Sequence, residues 1–188
     1  MKKYILASLL VASAAAQAAT TVIDFESTST GSYPSLTLSG VTFSLSSGNV
    51  TVSNDSNGVY ALSAPGTNFL DNRSGGADMI FSMGTSTDYF GLQVGAANSA
   101  QTLTAYDSVG GFLGSVVVPD QVSTQPHPYS DFFSLSYSGI SKVVLTGSNG
   151  DWVVVDNVTV GAVPEPEGLA LMLAGLAVAG VVARRRRA

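Results

Sequence analysis

The sequence predicts an all-β fold, an antiparallel β-sandwich flanked by two short targeting segments. Runs rich in Val, Ile, Thr, Phe and Tyr recur through the middle of the 188-residue chain, and clusters of Gly, Asn, Asp and Ser separate them. No long stretch of the middle has the apolar periodicity of an amphipathic helix. Short strands joined by turn residues are typical of sandwiches and barrels.

Ten runs in the segment 19–162 predict strands. The predicted strands are 21–26, 36–45, 49–52, 79–81, 89–94, 101–107, 112–118, 132–137, 141–146 and 152–160. Because no crossover helices separate these runs, an antiparallel sandwich of jelly-roll-like topology fits them better than a parallel sheet. Turn-forming residues predict two hairpins, one joining 101–107 to 112–118 and the other joining 140–146 to 152–160.

The amino-terminal segment 1–18 has the three parts of a secretory signal peptide. Lys2 and Lys3 give it a positive start, an apolar run follows, and Ala16-Gln17-Ala18 ends it with small residues. Signal peptidase accepts small side chains at two positions before its cut. The pattern therefore predicts export, with Ala16 and Ala18 at those two positions and cleavage after Ala18.

The carboxyl-terminal segment 163–188 has a proline-rich start, an apolar middle and a basic end. It begins with Val163, Pro164, Glu165 and Pro166, and the prolines favour an extended segment that a processing enzyme can bind. Residues 168–183 are uncharged and predict a transmembrane helix of about 24 Å, short but able to span a thinned bilayer. By the positive-inside rule, a basic cluster then holds the cytoplasmic end of the helix. The cluster consists of Arg184, Arg185, Arg186 and Arg187.

The Val-Pro-Glu-Pro motif, the short apolar helix and the arginine cluster together resemble the PEP-CTERM sorting signal of Gram-negative bacteria. The resemblance covers 163–188. It implies that exosortase, a membrane-embedded cysteine enzyme, processes the exported protein, and that the protein is associated with exopolysaccharide. The implied precursor is anchored in the inner membrane with a periplasmic domain, and the implied mature form lies at the cell surface or outside the cell.

The segment between the targeting signals is acidic. Residues 20–162 contain eleven Asp and Glu against two basic residues, Arg73 and Lys142, which gives a net charge of −9. Because proteins bind nucleic acids largely by neutralising phosphates, this charge excludes a nucleic-acid partner. The chain has no cysteine, so its stability depends on packing rather than on disulfides.

The sequence contains little that points to catalysis, and we predict a non-enzymatic protein. His127 is the single histidine, and no Gly-x-Ser-x-Gly elbow marks a serine nucleophile. Two alternatives stay open. A secreted glycoside hydrolase would need a pair of carboxylates, for which Glu26 is the glutamate candidate. A carbohydrate-binding module would stack sugar rings on aromatic side chains. The aromatic candidates are Trp152, Tyr106, Tyr129, Tyr137 and Phe132.

Three acidic residues predict a structural calcium site. Asp24 and Glu26 alternate with Ile23 and Phe25, so both carboxylates should lie on one face of the first strand. The strings Ile-Asp-Phe-Glu, Gly-Val-Thr-Phe-Ser and Val-Asp-Asn-Val-Thr-Val resemble those of galactose-binding-like jelly rolls. That resemblance implies adjacent first and last strands, with Asp156 completing an oxygen-ligand site for calcium. The alternative is that Asp24 and Glu26 are solvated and Asp156 satisfies a local turn.

Overall fold

A computed structural model describes residues 20–54, 68–72, 76–95, 97, 99–120, 131–146 and 151–161. The predicted signal peptide 1–18 and the predicted sorting signal 163–188 lie outside these residues. In the part of the chain that is described, no helix is long and apolar enough to cross a membrane.

The described residues form eleven strands, and every pairing between them is antiparallel. In chain order the strands are β1 (Thr21–Ile23), β2 (Gly31–Tyr33), β3 (Leu36–Leu38), β4 (Val41–Leu45), β5 (Val50–Asn54), β6 (Asn68–Asp71), β7 (Met79–Gly95), β8 (Gln101–Tyr106), β9 (Phe112–Val118), β10 (Phe132–Thr146) and β11 (Val154–Gly161).

Two long strands, β7 and β10, run through both layers of the sandwich. Residues 79–82 of β7 pair with 142–145 of β10 in the first layer, and 89–93 pair with 132–136 in the second. The register shifts on both sides of Ile140, and such irregularities let a strand bend sharply. The continuous sheet therefore folds over on itself at the middle of these two strands.

Each layer has its own strand order around β7 and β10. The first layer runs β3, β4, β7, β10, β8 and β9. The second layer runs β2, β5, β6, β11, β7 and β10, and β1 also pairs with β11. Because β1 and β11 are neighbours, the start and the end of the described fold lie side by side.

Four phenylalanine rings join the two layers across the core. Phe43 and Phe81 come from the first layer, and Phe90 comes from the second. The ring centroids of Phe43 and Phe81 are 5.8 Å apart, those of Phe81 and Phe90 are 5.2 Å apart, and Phe25 lies 5.2 Å from Phe43. Each ring is at most 1% exposed. Tilted and edge-on aromatic pairs add about 0.5–1.5 kcal/mol to the free energy gained by burial, so this cluster is the centre of the core.

The structure confirms the predicted all-β, antiparallel jelly-roll-like sandwich and the predicted β8–β9 hairpin. The predicted pairing of 140–146 with 152–160 is wrong, because β7 lies between β10 and β11 in the sheet. The predicted strand 36–45 is two strands, since Ser39 and Gly40 both have positive φ, 48° and 81°, and reverse the chain. The structure also shows two strands that the sequence did not predict, β2 and β6.

Candidate functional site

The first layer has an outward side, opposite the core, which we call the first-layer face. One row of directly opposed residues crosses all six of its strands. The row consists of Phe112, Tyr106, Lys142, Ser82, Thr42 and Thr37. At about 4.8 Å between neighbouring strands, the row is about 24 Å long.

An aromatic pair and a cation form one end of this row. The Nζ atom of Lys142 lies 4.6 Å from the centroid of the Tyr106 ring, within the range of a cation–π interaction. Phe112, opposite Tyr106 on β9, is 66% exposed. A bulge at Leu113, which packs against the core, turns Phe112 outward. The result is an exposed ring beside a second ring that orients an ammonium group.

The remainder of the first-layer face is rich in hydroxyl groups. In the long row, the Oγ1 atoms of Thr37 and Thr42 are 2.9 Å apart and hydrogen-bonded. A second row of opposed residues runs from β9 to β4. It consists of Ser115, Thr104, Val144, Ile80 and Ser44. Rings, an ammonium group and hydroxyls on one sheet face can stack on and hydrogen-bond a polyhydroxylated ligand.

The predicted calcium residues lie where β1 meets β11. Ile23 and Phe25 are buried and Asp24 and Glu26 are exposed. The predicted strand 21–26 is nevertheless too long, because β1 ends at Ile23 and Phe25 has a positive φ of 58°. Asp156 belongs to β11 and is 5% exposed. The adjacency of the first and last strands, which the jelly-roll resemblance implied, is present as the pairing of β1 with β11.

Asp24 and Glu26 already have hydrogen-bond partners in the fold. The Asp24 Oδ1 atom accepts the Glu26 N–H at 3.3 Å, and Glu26 Oε1 accepts the Asn68 N–H at 2.7 Å. The side chain of Asn68 in turn donates to the carbonyl oxygen of Phe25 at 3.3 Å. Glu26 therefore joins the segment after β1 to the start of β6, and this contact explains its position without catalysis.

The carboxyl group of Asp156 is electrostatically unusual. Its pKa is raised from 3.8 to about 7: burial raises it most, the Asn157 N–H lowers it, and the nearby carboxylates of Glu26 and Asp24 raise it. The Asn157 N–H donates to Asp156 Oδ1 at 2.7 Å. The three predicted ligands are thus close enough to interact. Even so, no group of three or more His, Cys, Asp or Glu side chains in the described ranges is arranged to hold a metal ion, and the calcium site stays a prediction.

The aromatic candidates do not form one platform. Tyr106 belongs to the first-layer face, whereas Phe132 is 44% exposed on the second layer, where its ring covers Gly91. Tyr137 packs over Gly114 of β9. Tyr129 and His127 lie outside the described residues. Sequence reasoning missed Phe112 and the pairing of Tyr106 with Lys142, because both depend on which strands are neighbours.

A pocket of about 340 Å³ lies at the bend of β7, beside the end of β11. Its lining combines apolar side chains with hydroxyl groups and the carboxylate of Asp88. Asp88 Oδ1 accepts the Gly139 N–H at 2.9 Å, so this carboxylate connects the bends of β7 and β10. Thr87 Oγ1 accepts the Gly161 N–H at 2.9 Å and donates to the Gly161 carbonyl oxygen. These bonds fix the end of β11.

Comparison with known proteins identifies the carboxyl-terminal segment. Residues 162–187 match the family model of the PEP-CTERM protein-sorting motif. The match covers this segment alone and agrees with the sorting signal that the sequence predicts. The signal is of the PEP-CTERM kind, which implies an exported protein that is a substrate of exosortase. A search of curated proteins gave no significant match.

Solved structures similar to this chain are β-rich proteins of low sequence identity. A DUF4465 family protein from Bacteroides caccae is 11% identical, with a TM-score of 0.46 over 76% of this chain and 98% of that chain. A family 29 carbohydrate-binding module from Piromyces equi is 11% identical, with a TM-score of 0.40 over 79% of this chain and 94% of that chain. The catalytic domain of a GH87 α-1,3-glucanase is 19% identical, with a TM-score of 0.42 over 77% of this chain and 28% of that chain.

Proposed function

We propose that the protein is an exported, non-enzymatic component of the cell envelope or extracellular matrix, processed by exosortase and associated with exopolysaccharide. The observation that carries this proposal is the match of 162–187 to the PEP-CTERM protein-sorting motif. Signal peptidase acts first in this scheme, after Ala18. The tail 163–188 then holds the precursor in the inner membrane, with its domain in the periplasm, until exosortase releases it.

The position of the last strand supports this order of events. β11 ends at Gly161, which Thr87 holds by two hydrogen bonds. The motif residues Val163, Pro164, Glu165 and Pro166 follow Gly161 in the sequence and lie outside the described residues. Cleavage at the motif would therefore leave all eleven described strands in the released product.

Substitution of the motif tests the sorting function. We expect the triple variant Pro164→Ala, Glu165→Ala, Pro166→Ala to accumulate as a membrane-retained precursor, because the extended segment that exosortase binds is lost. The matched control is Glu167→Ala, which removes the next carboxylate and leaves the motif intact. Cell fractionation followed by mass spectrometry measures both variants. Release of the triple variant at the rate of the control would contradict the proposal.

Saccharide binding by the domain is a second candidate function. It is favoured by the first-layer face, where Phe112 is exposed and Lys142 lies over the ring of Tyr106. Retention of the protein on the organism's own exopolysaccharide should fall in Phe112→Ala and remain in Phe132→Ala, which removes an exposed ring from the other layer. If both variants are retained as well as the wild type, this face is not the binding surface. A reducing-sugar assay with the same polymer should detect no hydrolysis.

A further inference from the structure

The first-layer face differs in charge from the rest of the domain. Residues 20–162 carry eleven acidic side chains, yet the two rows of opposed residues on this face contain no Asp or Glu. Asp78, beside Ser46, directly precedes β7, and Asp88 lies at the bend of β7. The carboxylate nearest in sequence to the aromatic end is Asp107, which follows β8. Its Oδ1 atom accepts the N–H groups of Val109 and Gly111 at 2.9 and 2.7 Å, so it is engaged by its own turn.

Lys142 supplies the positive charge of the first-layer face. It is one of two basic residues in 20–162, and the other, Arg73, lies outside the described residues. Within the described residues Lys142 forms no salt bridge, and its ammonium group is held 4.6 Å from the Tyr106 ring centroid. A cation with this placement keeps its N–H groups available for an acceptor on the ligand.

We propose that the first-layer face binds a saccharide chain that carries carboxylate groups, with Lys142 pairing with a carboxylate and Tyr106 and Phe112 stacking on sugar rings. This inference rests on the proposed saccharide binding and names its chemical class. The ammonium–carboxylate contact is a charge-assisted hydrogen bond, stronger than a bond to a sugar hydroxyl. The six-strand row, about 24 Å long, offers hydroxyl partners to sugar units beyond the aromatic end.

The distribution of charge selects this ligand over other extended polymers and surfaces. One lysine cannot neutralise the series of phosphates that nucleic-acid binding requires, and an anionic membrane surface is recognised by clusters of several basic residues. The net charge of −9 on 20–162 repels any polyanion at long range. At 0.15 M salt this repulsion is screened beyond about 8 Å, whereas the contact at Lys142 is direct.

Calorimetric titration of the full chain in a non-ionic detergent tests the inference. The probes are oligomers of galacturonic acid and neutral dextran oligomers of matched length, at 0.15 M salt. We expect the acidic oligomer to bind more tightly. Lys142→Gln should weaken its binding about tenfold or more, Lys142→Arg should retain it, and Phe112→Ala should weaken both probes. Phe132→Ala is the matched aromatic control, and circular dichroism verifies that each variant is folded.

Three results overturn the inference. Equal affinity of wild type and Lys142→Gln for the acidic oligomer removes the proposed contact. The wild type could instead prefer dextran, with this binding lost in Phe112→Ala and kept in Lys142→Gln. That result would support saccharide binding by this face but would show that its ligand is neutral rather than acidic. If neither probe binds, this face is rejected as a site for these ligands. Each result is independent of processing at the motif, so the sorting proposal succeeds or fails by its own test.

Discussion

Asn72 shows how single buried polar residues hold the ends of these strands. Its side chain is 1% exposed and contacts three backbone groups. Nδ2 donates to the carbonyl oxygens of Ala77 and Asp151 at 3.3 and 3.2 Å, and Oδ1 accepts the Val153 N–H at 2.8 Å. One amide thus joins the end of β6, the start of β7 and the start of β11.

Replacing Asn72 with alanine should destabilise the protein strongly. The substitution leaves the buried N–H of Val153 and two carbonyl oxygens without this partner, at a cost of about 1–3 kcal/mol for each unsatisfied group that water cannot reach. We expect the free energy of unfolding to fall by about 3 kcal/mol in urea denaturation. The control is Thr37→Ala on the exposed β3, which should change it by less than about 0.5 kcal/mol. Equal stability of the two variants would contradict the structural role of Asn72.

Asp156 should make stability depend on pH. Its carboxyl group ionises near pH 3.8 in the unfolded chain and near 7 in the folded protein, chiefly because of burial. Between these values the folded state holds a proton that the unfolded state has lost, so stability decreases as pH rises from about 4 to 7. At about 1.4 kcal/mol per pKa unit, the loss is at most about 4 kcal/mol.

The variant Asp156→Asn isolates this contribution. The amide is neutral at every pH and its oxygen can still accept the Asn157 N–H that Oδ1 accepts at 2.7 Å. Denaturation at a series of pH values should show the variant more stable than the wild type at pH 8, with the difference vanishing near pH 4. A difference that stays constant with pH would show that the raised pKa of Asp156 is not its cause.

The predicted calcium site gives a separate expectation for the same residue. A bound cation favours ionised carboxylates and stabilises the folded state, so added calcium should raise the melting temperature at pH 8 more than at pH 5. Asp156→Asn should lose the effect, and a chelator should reverse it in the wild type. An unchanged melting temperature with calcium and with chelator would remove the metal and leave Asp156 as a buried structural carboxyl.

At the scale of the element, β11 depends on a bulge next to this carboxyl. The register of β11 with β7 shifts between Asp156 and Thr159, and Asn157 within the shift has a φ of 48°. Asn157 Nδ2 donates to Gln93 Oε1 at 2.7 Å. Asparagine suits this position because it tolerates the left-handed conformation better than most residues with a Cβ.

A pair of substitutions at Asn157 separates backbone conformation from the side-chain bond. Both Asn157→Gly and Asn157→Ala remove the hydrogen bond to Gln93, but only alanine has a Cβ that disfavours positive φ. We expect the alanine variant to be the less stable by about 1 kcal/mol in chemical denaturation. Glycine and alanine variants of equal stability would mean that the left-handed backbone at the bulge does not limit the choice of residue.

Elements whose signal is local could be predicted from the sequence. The hairpin β8–β9 has alternating apolar residues around Gly110 and Gly111, and the structure contains it. The merging of two predicted strands into β7 could not be foreseen, because 84–88 is polar and reads as a turn. That segment crosses between the layers, where polar residues remain partly exposed.

The same distinction applies to the candidate sites. A continuous motif such as 163–166 can be recognised directly in the sequence, and the family match confirms it. The pairing of Lys142 with Tyr106 and Phe112 joins three strands, and sequence alone does not determine strand order. The resemblance to jelly rolls supplied the adjacency of the first and last strands, which is present as the pairing of β1 with β11, whereas the role of Asp156 as a metal ligand stays a prediction.

At the scale of the whole molecule, the described strands fall between the two predicted cleavage sites in the sequence. β1 begins at Thr21 and β11 ends at Gly161, and Thr21 lies opposite Val160 in the sheet. Cleavage after Ala18 and at the motif that begins with Val163 would therefore leave every described strand complete.

Intact-mass spectrometry of the protein recovered from cells tests the sorting account most directly. The comparison is between cells with active exosortase and cells in which the catalytic cysteine of exosortase is replaced. With active enzyme we expect a chain that begins at Ala19 and ends before Gly168, without the apolar helix and the arginines. With inactive enzyme we expect the tail to be retained in the membrane fraction. A chain that keeps Arg184 to Arg187 in both strains would contradict the account.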